Sequence, residues 1–276
     1  MSFKTVLAVI GAAGATADLD QAIAVASELD AHLSVLILGV ALPPMAADYP
    51  VATAWLDQRQ EDLNALAAIR TDAEDNCRRS GIPYDVDHIY DDRFILESNV
   101  STRAIYADVV VAGAGLRGDS SLRKLVVGGS AFDARTPLLL VNKTGKASLK
   151  PRNVLLAWNS RAEAASAAKA GMELLAGADT VRVVLVDPDA SYGRNGGEPG
   201  ADIAAFLDRH GVNVVVEQVA SCERRTEDVL RQHASETGCD MIVMGAYGHS
   251  RLRERIFGGV TASILQECSV PVFLAR

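Results

Sequence analysis

Apolar and polar positions along this chain fall into blocks, short continuous apolar runs followed by longer stretches of helical periodicity, and the series of blocks occurs twice. In the first half, Thr5–Ile10 reads as a buried strand and Ala17–Leu29, introduced by Thr16 or Asp18, as an alanine-rich helix. Leu33–Leu38 is the next strand, Pro43 and Pro44 open a loop, and a long helical stretch over about Ala52–Arg79 stops at Gly81. Tyr84–Ile89 is a strand, Phe94–Tyr106 a helix, and Asp108–Gly113, a glycine loop, a short helix and Leu138–Val141 complete five strands. The second half repeats the order: strand Asn153–Trp158, helix Ala162–Ala176, strand Val181–Val186, a loop over 187–200, helix Ala201–Arg209, strand Val212–Gln218, helix Arg224–Thr237, strand Asp240–Met244, a glycine loop, a helix and Val270–Leu274.

Apolar strands alternating with helices predict right-handed βαβ units and a parallel sheet covered on both faces. The fold class is therefore α/β, as two tandem doubly wound five-stranded parallel-sheet domains with strand order 3-2-1-4-5. The predicted boundaries are 1–143 for the first domain, a linker at 144–151 that carries Gly and Pro without apolar periodicity, and 152–276 for the second. Ligands of such sheets bind beyond the carboxyl ends of the strands, where strand order reverses. That puts the loop after strand four opposite whatever follows strand one.

The loops after the two fourth strands share a glycine skeleton, G-x2-G-x9-G-G. It comprises Gly115, Gly118, Gly128 and Gly129, and again Gly245, Gly248, Gly258 and Gly259, 130 positions later (245 − 115). Each copy follows an apolar run opened by an aspartate, Asp108 or Asp240. A buried strand, a glycine loop and a helix N-terminus are the parts of a phosphate cradle, because glycine lets backbone N–H groups converge on an anion. The same glycines would equally serve a tight crossover from strand to helix. They establish an internal duplication more firmly than a ligand.

Composition narrows the function. A chain of 276 residues with 49% hydrophobic and 22% charged residues suits two ordinary globular domains. A net charge of −8 and 5% aromatics argue against a nucleic-acid or anionic-membrane binder. No stretch reaches membrane length and the apolar start is too short for an export signal, so a cytoplasmic location is expected. Cys77, Cys222, Cys239 and Cys268 have no metal-ligand spacing and fit a reducing compartment, with burial expected for Cys239 and Cys268.

With the glycine skeleton in view, the chain resembles the universal stress protein family, in a tandem arrangement that covers nearly all of both halves. The family's G-x2-G-x9-G pattern after the fourth strand is matched closely by 244–261, and its first-strand signature by Leu156-Ala-Trp-Asn-Ser-Arg161 and, in the first half, Leu7-Ala-Val-Ile-Gly-Ala12. The resemblance implies an adenine nucleotide alpha hydrolase-like fold and a stress-response role, regulatory or protective. It also implies a nucleotide site in which an aspartate after strand one contacts the nucleoside and the glycine loop holds the phosphates. Carried over residue by residue, Asn159 takes the aspartate's place and Val186 lies in the adenine region. Gly245, Gly248, His249, Ser250, Arg251, Gly258, Gly259, Val260 and Thr261 then form the loop. A weaker second site falls on Gly115, Gly118, Gly128, Gly129 and Ser130, where Ile10 stands in the aspartate's place and can neither donate nor accept a hydrogen bond. ATP is thus expected in the second half before the first, with Mg only alongside ATP. Arg117, Arg123 and Lys124 in the first loop and Arg253 and Arg255 in the second add positive charge near these sites.

Strong catalytic signatures are missing. The loops lack the G-K-[ST] ending of a P-loop, no serine sits in a G-x-S-x-G elbow, and the five histidines are scattered. A binding role without a catalytic residue or metal site is therefore expected. Two alternatives remain open: a nucleotide-independent interaction scaffold, and slow ATP hydrolysis or nucleotidyl transfer. By analogy with the family, the last strands of the two halves pair in an intramolecular pseudo-dimer, and a homodimer of whole chains is a further expectation.

Overall fold

The structure is a computed structural model that describes residues 3–41, 49–142, 147–188, 198–246, 264 and 269–276, with the side chains of 49–54 left aside. The chain forms two compact units, 3–134 and 135–276.

In the first unit, β1 (Thr5–Gly11), α1 (Ala15–Leu29), β2 (His32–Val40), α2 (Tyr49–Ser80), β3 (Tyr84–Asp91), α3 (Arg93–Ala104) and β4 (Val109–Ala112) follow in sequence. The strands are parallel in the order β3-β2-β1-β4. The central strands β1 and β4 are apolar and buried along nearly all their length, as expected where helices cover both faces, whereas the outer β3 is mostly half-buried and carries Asp85, Asp87 and Asp91. Asp92 caps α3, accepting hydrogen bonds from the amides of Phe94 and Ile95 at 2.9 and 3.1 Å.

Beyond β4 the structure departs from the predicted open glycine loop. The chain coils at once into α4 (Ala114–Gly118), then α5 (Ser120–Val127), then a wide π-helical segment over Gly128–Ala134.

The second unit opens with β5 (Leu138–Leu140), followed by β6 (Asn153–Ala157), α6 (Ala162–Ala170), α7 (Met172–Ala176), β7 (Thr180–Val186), α8 (Ala201–Asp208), β8 (Val214–Val219), α9 (Thr226–Glu236), β9 (Met241–Gly245) and β10 (Val272–Ala275). Strands β8-β7-β6-β9-β10 are parallel neighbours in that order, which is the expected 3-2-1-4-5. β5 pairs antiparallel with β10, Leu139 opposite Phe273, which places the last strand of the first repeat in this unit. The single helix expected over Ala162–Ala176 breaks into α6 and α7 at Gly171, a residue that weakens a helix interior.

The aspartates that open the fourth strands have a structural task. Asp108 accepts hydrogen bonds from the amides of Lys4 and Thr5 at 2.7 and 2.9 Å, and Asp240 from those of Arg152 and Asn153 at 2.9 and 3.1 Å. Each fastens the start of the first strand of its repeat to the start of the fourth. Among the described residues no helix is long and apolar enough to cross a membrane, and no group of three His, Cys, Asp or Glu is placed to hold a metal ion. Cys77 and Cys239 are buried and Cys222 is exposed, while Cys268 lies outside the described residues. Burial pushes the Cys77 thiol up to about 11.

Candidate functional site

The register of the sheets decides which residues of the repeats correspond. Asp108 and Asp240 do the same work 132 positions apart (240 − 108), and Thr5 and Asn153, their partners, 148 apart (153 − 5). By that register Gly245, at the end of β9, corresponds to Gly113 rather than to Gly115. A Cβ on Gly113 would lie 2.7 Å from the Cα of Asp18 in α1, and one on Gly245 would lie 2.5 Å from the carbonyl carbon of Glu163 in α6. In both repeats this glycine lets the helix after strand one pack against the end of strand four. The same register makes Gly11, not Ile10, the counterpart of Asn159. Gly11 also lacks a hydrogen-bonding side chain, and Leu122 fills the space beside it, 2.6 Å from where its Cβ would stand.

Of the further glycines of the first half, Gly118 has open space where a Cβ would stand, while Gly128 and Gly129 serve packing. Gly115 and Gly118 are inside α4, and Gly128 and Gly129 begin the π-helical segment. A Cβ on Gly129 would meet the Glu97 carbonyl oxygen at 2.7 Å, and one on Gly128 would collide with the Glu97 carboxylate, so the pair allows α3 to approach closely. Ser130 is fully buried, and its hydroxyl donates to the Val126 carbonyl.

The crevice at the carboxyl ends of β1, β2 and β4 is closed to anions by the protein's own groups. Asp18 is 1% exposed; its Oδ1 accepts from the Gly115 amide at 2.7 Å and its Oδ2 from the Leu116 amide at 2.8 Å. The Gln21 Oε1 accepts from the Ala114 amide at 3.0 Å, and Asp119 takes the amides of Ser121 and Leu122 at 2.8 and 3.1 Å. Helix N-termini leave such donors free unless a side chain or ligand takes them, and here side chains do. Burial pushes the Asp18 carboxyl up, and the two amide donors pull it back toward the ionised form that their geometry suits.

The expected cations are turned away as well. Arg117 and Arg123 are 5% and 6% exposed, and the Arg123 guanidinium donates to the Arg117 carbonyl. Burial lowers the Arg123 pKa, opposed by nearby Asp119. A cavity of about 300 Å³ remains, walled by Leu38, Leu66, Leu122 and the ring of Tyr90, with Asp62 and Asp119 as its carboxylates.

The second-half crevice has a different lining. After β6, the Asn159 Oδ1 accepts from the Arg161 amide at 3.1 Å, and the Trp158 indole N–H donates to the Ser160 hydroxyl at 3.2 Å in a turn where Ser160 has φ 56°. A cavity of about 380 Å³ lies against Trp158, Ser160, Arg161, Ala165, Gly200 and Asp202. Val186 ends β7 opposite Val219. The Asp187 carboxylate beyond it accepts from the Ser221 amide at 2.9 Å and is held below the usual carboxylate range by Ser221. Gly248, His249, Ser250, Arg251, Gly258, Gly259, Val260 and Thr261, together with Arg253 and Arg255, lie outside the described residues.

Residues 150–276 match the model of the universal stress protein family. The second half is thus similar to the universal stress protein family. A curated relative, universal stress protein Slr1230 of Synechocystis, is 31% identical over 70 residues. That match spans 25% of this chain and about a quarter, 23%, of the relative.

The first half joins the comparison by fold. A universal stress protein from Archaeoglobus fulgidus DSM 4304 superposes with a TM-score of 0.65 over 99% of this chain and 96% of its own, at 16% identity. A second solved structure, described as a putative universal stress protein from Pseudomonas aeruginosa UCBPP-PA14, gives 0.56 over 99% and 93%, at 14% identity.

Within the universal stress fold, sequence reasoning missed three residues that shape the first-half crevice: Asp18, Gln21 and Gly113. The Asp18 contacts cross 97 and 98 positions of sequence, and no local pattern reveals them. For Gly113 a signal existed, since the spacing from Asp108 to Gly113 equals that from Asp240 to Gly245.

Proposed function

We propose that this universal stress protein acts as a regulatory or protective binding protein in the cytoplasm, with an adenine nucleotide, ATP first among them, held by the second half. The observation that carries the reading is the contrast between the crevices. In the first, Asp18, Gln21 and Asp119 occupy the backbone donors that a phosphate would use, and both arginines are buried. In the second, Trp158 and Arg161 border a cavity together with Asp202, giving a ring and a cation for a base and a phosphate, whereas the first cavity has a ring, Tyr90, but carboxylates in place of a cation.

Asn159 and Arg161 are the described residues assigned to this nucleotide, and the loop residues 248–261 the remaining ones. Mg would enter only as the counter-ion of ATP phosphates. No catalytic step is assigned, so occupancy itself is the signal. Antiparallel pairing of β5 with β10 supports an intramolecular pseudo-dimer of the repeats. Association of whole chains into a homodimer is part of the same proposal.

A nucleotide-independent scaffold is the second reading. It is favoured by the first half satisfying its own donors and by Asn159 already accepting from Arg161. Purifying the protein without added nucleotide, denaturing it and identifying released molecules by mass spectrometry separates the two. Near one nucleotide per chain supports the binding role. A protein that is empty and also fails to take up ATP in calorimetry leaves the scaffold.

A further inference from the structure

One ion pair occupies the same place in both repeats with different chemistry. On β3, Asp87 stands opposite Leu36 of β2 and is bound by Arg103 of α3, 16 residues later. On β8, Glu217 stands opposite Val184 of β7 and is bound by His233 of α9, also 16 residues later. Positions 36 and 184 correspond in the strand register, so His233 replaces an arginine. The second-half pair is also better shielded, with side-chain exposures of 19% and 22% against 41% and 43%. Its other carboxylate oxygen is taken by Arg182 of β7, where the first repeat has Ser34.

We propose that His233, Glu217 and Arg182 form a proton-gated latch that fastens α9 to β7 and β8, for which Arg103 and Asp87 are the permanently charged counterpart. With a protonated imidazole the Glu217 contact is an ion pair charged on both sides; with a neutral imidazole the ring N–H donates to the carboxylate without a charge of its own, and the contact is weaker. Arg182 is the opposing cation on β7, but it lies on the far carboxylate oxygen while His233 touches the near one.

The remaining groups around the latch do not compete for it. Cys239 and Asp240 follow α9, with the buried thiol pushed up chiefly by desolvation. On α9, Asp228 pairs with Arg225 and Arg231, and Glu236 with Gln232. Burial raises the Glu217 carboxyl, but His233 and Arg182 outweigh it and hold the group below its ordinary range. The carboxylate's contribution is therefore present above that ordinary range and is lost only as pH falls through the lowered value. The latch therefore holds best while the imidazole is protonated and loosens when that proton is lost. It does not depend on nucleotide binding, although α9 leads directly into β9 and Gly245.

Amide hydrogen exchange on the full chain from pH 5.5 to 8, corrected for intrinsic rates, reads the latch as the ratio of α9 to α3 protection. The expected ratio falls about fivefold across this range, the order for a contact that loses the charge on one of its two partners. His233→Arg should stay at the acid value throughout and His233→Gln at the alkaline one. A flat wild-type ratio, or His233→Arg retaining the wild-type profile, would overturn the proposal. If His233→Arg does not fold, the wild-type imidazole titration followed by NMR serves instead. Its midpoint must coincide with that of α9 protection, and separate midpoints contradict the latch.

Discussion

Two crevices at the carboxyl ends of equivalent strands are lined by different residues. The first repeat has filled its anion-binding donors from within, with a buried carboxylate on α1 where a ligand phosphate would otherwise sit. At the corresponding approach the second repeat places the Glu163–Ala164 peptide against Gly245. A duplicated motif thus preserves the packing that needs glycine, while the chemistry at the same helix end is free to change. A buried carboxylate held by two amides satisfies a helix start without any ligand, whereas a ligand does so only when present.

That contrast is broken most severely at Asp18. Asp18→Ala leaves two buried amides without acceptors and should cost the first unit about 3 kcal/mol, at roughly 1–3 per orphaned donor, read by urea denaturation. The same residue sets a slope with pH. Because burial raises its folded pKa above the unfolded value, the folded unit holds this proton more tightly. Its contribution to stability is full below the ordinary carboxylate range and falls as pH rises through the folded pKa. Asp18→Asn should flatten that slope, measured as stability between pH 4 and 7.

Next in size is the shared glycine. Gly113→Ala and Gly245→Ala each force a Cβ into the backbone of the helix after strand one, and each should cost about 1–3 kcal/mol in its own unit. If Gly115→Ala proved the costlier match to Gly245→Ala, the register assigned here would be wrong.

A smaller effect is expected from Arg161→Ala, which should weaken nucleotide binding about fivefold in calorimetry, the size of one exposed charge-assisted contact. Asp119→Asn, at the first crevice, should leave that affinity unchanged. Smallest is Arg103→His, which should import pH dependence into α3 worth about 0.2–1 kcal/mol, since this pair is half-exposed and screened by solvent. Local exchange of α3 amides at pH 6 and 8 reads it.

The fold was legible because continuous apolar runs such as 109–112 and 241–244 admit little besides buried parallel strands, and their order follows from the βαβ rule. Helix interiors were legible and their breaks were not: Gly171 splits one expected helix, and the coil from 114 to 134 replaces an expected loop. The candidate site was only partly legible. Glycine spacing matched the repeats at 130 while the strands match at 132, so the most visible pattern pointed two residues away from the true equivalence. Whether a helix-end donor is vacant depends on a side chain nearly a hundred residues distant. Sequence pattern carries periodicity but not such pairings.

Calorimetric titration of the full chain with ATP tests the contrast most directly, using wild type, Ala65→Trp to fill the first cavity, and Asn159→Ala combined with Arg161→Ala to disable the second. The expected result is about one ATP per chain, unchanged by the tryptophan and lost in the double variant. Two equivalents, binding abolished by the tryptophan, or no uptake by the wild type would contradict nucleotide binding by the second half alone.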